Sequence, residues 1–193
     1  MKIVIIKYNA GNVVSVTNTL NRLGVNPVIS DDPKEIKEAD KVIFPGVGEA
    51  STAMDYLKSR RLDELIISLK QPFLGICLGQ QLMCKYSEEN DTTCLGIFDL
   101  NVIRFKPKLK VPHMGWNKLS EMQGPLFRGL PRNAFIYFVH SYYCELGPET
   151  IAKSDYINEF SAALHKDNFY AIQGHPEKSG RTGQLFLENF LKL

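Results

Sequence analysis

Phe73-Leu74-Gly75-Ile76-Cys77-Leu78-Gly79 is a short apolar run that ends in a cysteine set between two glycines. The run reads as a buried strand, and a helix follows it directly. The same unit recurs upstream. Ile3-Val4-Ile5-Ile6 is the continuous apolar pattern of a strand covered on both faces. Asn9-Ala10-Gly11-Asn12 breaks it, Val13, Val16, Leu20 and Leu23 then recur at helical spacing, and Gly24 caps the helix. Val28-Ile29 predicts a second strand. Asp32-Pro33 predicts a helix start, with Asp32 as N-cap and Pro33 at the first helical position. Val42-Ile43-Phe44 predicts a third strand, ending at Pro45-Gly46-Val47-Gly48, and helical patterns cover 49–58 and 61–70. This alternation, sustained to residue 86, predicts an α/β fold: an open, mostly parallel sheet with helices on both faces. The second half is β-rich. Strands are expected near 97–105, 116–120, 135–144, 160–164 and 169–174, as hairpins that extend or flank the sheet and make it mixed, before a last helix over 181–192. A single domain over 1–193 is the expectation, with no repeat and no linker.

Composition narrows the function classes. The 193 residues are 44% apolar and 23% charged, and 23 basic against 21 acidic side chains leave a formal charge of +2. That is an ordinary globular composition, with no charge excess calling for nucleic acid or a membrane surface as partner. No stretch approaches the ~20 apolar residues of a membrane span, and the opening apolar run is too short for a signal peptide. Cys77, Cys84, Cys94 and Cys144 lack paired spacing, which predicts free thiols in a reducing compartment and hence a cytoplasmic location. There is no metal-ligand cluster and no phosphate-binding glycine fingerprint, so neither metal nor cofactor is expected.

The reactive residues start from Cys77. Gly-x-nucleophile-x-Gly between a strand and a helix is the pattern of a sharp turn that holds the central side chain in a strained backbone position. The glycines remove Cβ atoms that would collide there. The turn sets the thiol at the positive end of a helix, where anions are stabilised, and frees the Leu78 amide to meet an oxyanion. A small buried cysteine in a Gly-rich turn would look the same. The histidines available as base are His113, His140, His165 and His175. His175 lies in Gln173-Gly174-His175-Pro176-Glu177, where the stiff turn lets the carboxylate fold back onto the ring to fix its tautomer. A loop histidine beside a solvated glutamate is the plain alternative. Pro45-Gly46-Val47-Gly48 follows the third strand and falls at the same sheet edge as Cys77, where open parallel sheets build their sites. Its glycines allow amides to face a developing oxyanion and a peptide to flip, although taken alone the loop reads as a plain strand-to-helix turn.

At these residues the chain resembles the class I (triad) glutamine amidotransferases. Pro45-Gly46-Val47-Gly48, Pro112-His113-Met114-Gly115-Trp116-Asn117, Val139-His140-Ser141-Tyr142, His175-Pro176-Glu177-Lys178-Ser179-Gly180 and the opening Tyr8-Asn9-Ala10-Gly11-Asn12 with Ser15 are similar, within that class, to the glutaminase subunits of imidazole glycerol phosphate synthases. The likeness covers essentially the whole chain. It implies hydrolysis of L-glutamine to glutamate and ammonia by a Cys77–His175–Glu177 triad. Oxyanion amides would come from Val47, Gly48 and Leu78, and substrate contacts from Gln81, His140, Ser141 and Tyr142. It further implies a heterodimer with a (β/α)8-barrel cyclase subunit, which takes the ammonia through a channel to convert PRFAR to imidazole glycerol phosphate and AICAR in histidine biosynthesis. Trp116, Asn117, Tyr137 and Lys178 match cyclase-facing positions. A lone Trp is otherwise more often core, Tyr137 alternates like a packed strand residue, and Lys178 could be a solvated charge. His113 reads equally as a satisfied loop histidine.

Three other readings remain open from sequence: a paralogous glutaminase feeding a surface-sugar amidination pathway, a binding subunit with a vestigial triad, and a different Cys-dependent α/β hydrolase. The resemblance to the imidazole glycerol phosphate synthase glutaminases also carries an expectation for regulation, that the Gly46-Val47-Gly48 amide is turned away from the oxyanion position until the cyclase holds its ligand.

Overall fold

A computed structural model describes residues 1–8 and 12–193, so most of the break expected at 9–12 lies outside the described residues. The first strands, β1 (Ile3–Ile6), β3 (Lys41–Gly46) and β4 (Phe73–Cys77), are buried at every position, as their unbroken apolar runs demand. Between them come α1 (Val13–Arg22), β2 (Val28–Ser30), α2 (Pro33–Lys37), α3 (Ala50–Ser59) and α4 (Leu62–Ser68), and α5 (Leu78–Met83) follows β4 with no loop. The predicted helix start at Asp32 and stop at Gly24 are in place. The Asp32 carboxylate accepts from the Lys34 amide at 2.7 Å. Gly24 takes φ 77°, and the Val25 amide reaches back to Leu20 O at 3.0 Å.

Successive strand residues point to opposite faces, which gives two cores. Val4, Ile6, Val42, Phe44 and Phe73 pack with α3, α4 and α5. Ile3, Ile5, Ile43, Leu74 and Ile76 pack with α1 and with the C-terminal α6 (Gly180–Leu191). One difference from the sequence reading is that β3 runs on through Pro45 and Gly46. Its pairing with β1 ends at Ile43 while its pairing with β4 continues to Gly46↔Cys77, so the proline lies where β3 has a neighbour on one side only.

The second half supplies β5 (Cys84–Ser87), β6 (Thr92–Thr93), β7 (Phe98–Arg104), β8 (His113–Lys118), β9 (Phe135–His140), β10 (Tyr142–Cys144), β11 (Thr150–Tyr156), β12 (Asn158–Lys166) and β13 (Phe169–Ile172). The main sheet has seven strands in the order β11-β12-β13-β4-β3-β1-β2. It is parallel from β13 to β2 and antiparallel across β11, β12 and β13. It is thus the expected mixed sheet. A four-stranded sheet, β10-β7-β5-β6, and the β8–β9 ribbon flank it. The single strand expected over 135–144 divides at Ser141, with β9 pairing β8 and β10 pairing β7. β11 was not anticipated, since Lys153, Ser154 and Asp155 give an edge strand the polarity of a loop. Among the described residues no helix is long and apolar enough to cross a membrane.

Candidate active site

Cys77 sits at the turn from β4 into α5 with φ 55° and ψ −109°, a backbone position that non-glycine residues rarely hold. Packing enforces it. A Cβ on Gly79 would lie 1.8 Å from the Phe44 carbonyl oxygen, and one on Gly75 would lie 2.5 Å from Met83 Sδ and 2.9 Å from the Gly79 backbone. The two glycines therefore let α5 press onto β3 and β4, and the thiol stands at the carboxyl edge of the sheet. Leu78 opens the helix, where first-turn amides have no intrahelical acceptor. Gly48 takes φ 120°, a conformation open to glycine and strained for other residues.

His175 arrives from the far end of the chain. β13 runs parallel to β4 with Ile172 opposite Ile76, so the segments just past both strands lie side by side. The ring is 1% exposed, and its Nδ1 is 2.8 Å from Glu177 Oε1. The Asn12 amide donates to the same carboxylate oxygen, and Thr19 Oγ1 donates to the Glu177 carbonyl at 3.4 Å. The loop is also tied to β9. The His175 amide donates to Tyr137 O at 2.8 Å, the Tyr137 amide donates to Ser179 Oγ at 2.9 Å, and Ser179 Oγ donates to His175 O at 2.6 Å. Burial works against a charge on His175. The Cys77 sulfur, with Glu177 second, outweighs it and holds the pKa up at about 10. His175 Nε2 has no hydrogen-bond partner among the described residues, and the Cys77 sulfur is the neighbour that most raises the ring's pKa.

A cavity of about 340 Å³ opens beside Cys77. Val47, Gly48, Leu78, Gln81, His140, Ser141 and Tyr142 all line it, together with Glu89, Pro112 and Val139. Gln81 Nε2 donates to Tyr142 O at 2.9 Å and to Gln173 Oε1 at 3.0 Å. Both amide protons are thereby used, and Oε1 is the atom left for a ligand. His140 Nδ1 faces Tyr142 O at 2.7 Å and must donate to it. Its Nε2 then accepts from His113 Nδ1 at 3.0 Å, and His113 Nε2 accepts from the Asn117 amide at 3.4 Å. Both rings are held neutral. Burial pushes His113 down to about 4. Burial, with the neighbouring His113 and His175 charges, pushes His140 down to about 3 against the pull of the Tyr142 carbonyl. His113 is thus a buried link in a chain of hydrogen bonds, not a loop residue. His165 lies apart, stacked on Tyr170.

The residues matched to a partner surface flank the histidine loop. Trp116 is 56% exposed and meets Tyr137, its cross-strand neighbour, edge to face at 6.2 Å. Asn117 donates to Asp155 O at 2.8 Å, and Lys178 is exposed one residue beyond Glu177. Sequence reasoning missed Glu89, Asn12 and Gln173. Gln173 carried a signal in its place two residues before the histidine at the end of a strand, and Asn12 in its place within the opening motif. Among the described residues no cluster of three or more His, Cys, Asp or Glu could hold a metal.

With strand order, elbow and histidine loop in hand, the comparisons with known proteins agree. The model of the family "Glutamine amidotransferase class-I" matches residues 4–193, so the chain belongs to the class I glutamine amidotransferases and is an enzyme of that family. Two relatives named "Imidazole glycerol phosphate synthase subunit HisH", from Bacteroides fragilis and Bacteroides thetaiotaomicron, are 58% and 57% identical over 100% of this chain and 100% of their own. A crystal structure of a glutamine amidotransferase superposes with a TM-score of 0.75 at 18% identity, covering 97% of this chain and 98% of that one, and speaks to the fold alone.

Proposed function

We propose that the chain is the glutaminase subunit of an imidazole glycerol phosphate synthase. It hydrolyses L-glutamine to glutamate and ammonia and hands the ammonia to a (β/α)8-barrel cyclase subunit, which converts PRFAR to imidazole glycerol phosphate and AICAR in histidine biosynthesis. Full-length identity of 58% to a curated subunit of that enzyme carries the reading. The match over residues 4–193 supports treating the chain as one amidotransferase domain, and the free thiols fit a cytoplasmic enzyme.

The chemistry follows from the geometry. With the proton on His175, the Cys77 sulfur attacks the side-chain amide carbon of glutamine, and the new oxyanion is met by the amides of Leu78 and the Val47–Gly48 region. The C–N bond breaks as His175 gives its proton to the departing ammonia. Water, deprotonated by the now neutral ring, then cleaves the thioester to glutamate and the free thiol. Glu177 orients the imidazole and balances its charge. Gln81 Oε1 and the Glu89 carboxylate on the cavity wall receive the substrate's ammonium, and His140, Ser141 and Tyr142 close the pocket around its amino-acid end. The exposed Trp116, the half-buried Tyr137 beside it, Asn117 and Lys178 form the surface that the cyclase covers. The Gly46-Val47-Gly48 peptide completes the oxyanion site only when the liganded cyclase docks. One missing donor lowers the rate of the isolated chain by about two to three decades.

The test is release of glutamate and ammonia by the chain with its cyclase, with and without PRFAR. Turnover is expected to need both subunits and to vanish in Cys77→Ala. Unchanged hydrolysis in Cys77→Ala would overturn the assignment of the nucleophile.

A further inference from the structure

We propose that Gln173 is a positioning residue that joins the nucleophile to the substrate-binding glutamine, an inference that rests on the glutaminase reading above. Gln173 is the first residue past β13, fully buried, and stands beside Cys77 because Ile172 pairs with Ile76. Its Nε2 donates to Cys77 Sγ at 3.7 Å, and its Oε1 accepts from Gln81 Nε2 at 3.0 Å. The orientation of both amides follows from a single fixed acceptor. Tyr142 O can only accept, so the group facing it on Gln81 is the NH2, and the second proton of that NH2 goes to the Gln173 carbonyl. The Gln173 NH2 is then left pointing at the sulfur.

The arrangement does two things. It gives the sulfur an N–H donor that strengthens as negative charge builds there, since hydrogen bonds to charged groups are the stronger ones. It also makes the seat of the substrate and the seat of the nucleophile parts of one rigid unit, running Tyr142 O, Gln81, Gln173, Cys77. A ligand that pulls on Gln81 Oε1 polarises the same chain that ends on the thiol.

Two substitutions separate the functions. Gln173→Met fills similar volume and removes both donor and acceptor. Gln173→Glu keeps an acceptor for Gln81 but sets a carboxylate, not a donor, against the sulfur. In the full-length chain, the rate at which iodoacetamide alkylates Cys77, followed by peptide mass across pH, is expected to fall about tenfold at neutral pH in the Met variant and further in the Glu variant. With the cyclase and PRFAR present, the KM for glutamine is expected to rise in the Met variant and stay near wild type in the Glu variant, while kcat falls in both. This crossed order is not what a merely structural residue would give. A folded Met variant that alkylates with the wild-type pH profile, or a KM that moves equally in both variants, would overturn the proposal. If thermal melting shows the Met variant unfolded, Gln173→Leu makes the same test. A wild-type complex without glutaminase activity would instead refute the reading of function, and the alkylation series would still decide the role of Gln173.

Discussion

His175 and the His113–His140 pair are both buried and both anchored to β9, yet they carry opposite charge states. His175 faces a carboxylate and a sulfur, and keeps its proton to about pH 10. His113 and His140 face each other, a backbone carbonyl and aromatic rings, and refuse a proton until about pH 4 and 3. Burial alone pushes all three downward, so partner chemistry decides whether a buried ring keeps its proton or stays uncharged.

The comparison can be tested from its strongest consequence downward. Glu177→Gln keeps the shape of the orienting side chain and removes its charge. Glutamine turnover in the complex is expected to fall by about 10²–10⁴, and a change under threefold would mean that the carboxylate does not set the ring's state. Next, the His175 titration should respond to the sulfur. In Cys77→Ala its NMR-measured pKa is expected to drop well below the wild-type value of about 10, because the Cys77 contribution is the largest that raises it. An unmoved titration would place the cause elsewhere.

Stability against pH should then split the two centres by sign. The folded pKa of His175 lies above its ordinary 6.5, so its contribution is full below pH 6.5 and is lost as pH rises through about 10. For His113 and His140 the folded values lie below 6.5, so their contribution is full above pH 6.5 and is lost as pH falls toward about 4 and 3. His113→Phe keeps the stack on Tyr156 and is expected to flatten the fall in melting temperature between pH 6.5 and 4. A fall as steep as in wild type would contradict the neutral pair. The smallest effect is expected from Asn12→Ala, which takes one of two donors from Glu177 Oε1 and should lower kcat by roughly three- to tenfold with little change in KM.

Legibility in the sequence followed locality. The Cys77 elbow could be read because its causes lie within a few residues: Gly75, Gly79 and the strand before them. The Asp32 cap, the Gly24 stop and the Glu177–His175 turn were readable for the same reason. The polar edge strand β11 was not, because its partner β12, rather than its own pattern, makes it a strand. Nor was the parting of β9 from β10 at Ser141, which depends on two separate neighbours, β8 and β7. Glu89 reaches the site through tertiary folding alone, and nothing at its own position announces it; Asn12 stood in the opening motif, but nothing local tied it to Glu177.

The placement of β13 against β4 bears on how the molecule is made. The contact between Cys77 and Gln173 spans 96 positions of chain, and the imidazole lies two residues further on. A polypeptide still emerging from the ribosome therefore displays Cys77 long before His175 exists beside it. On the function proposed above, hydrolytic competence is withheld until residues 173–177 have been made and have docked beside Cys77, and chains cut short of them leave glutamine untouched.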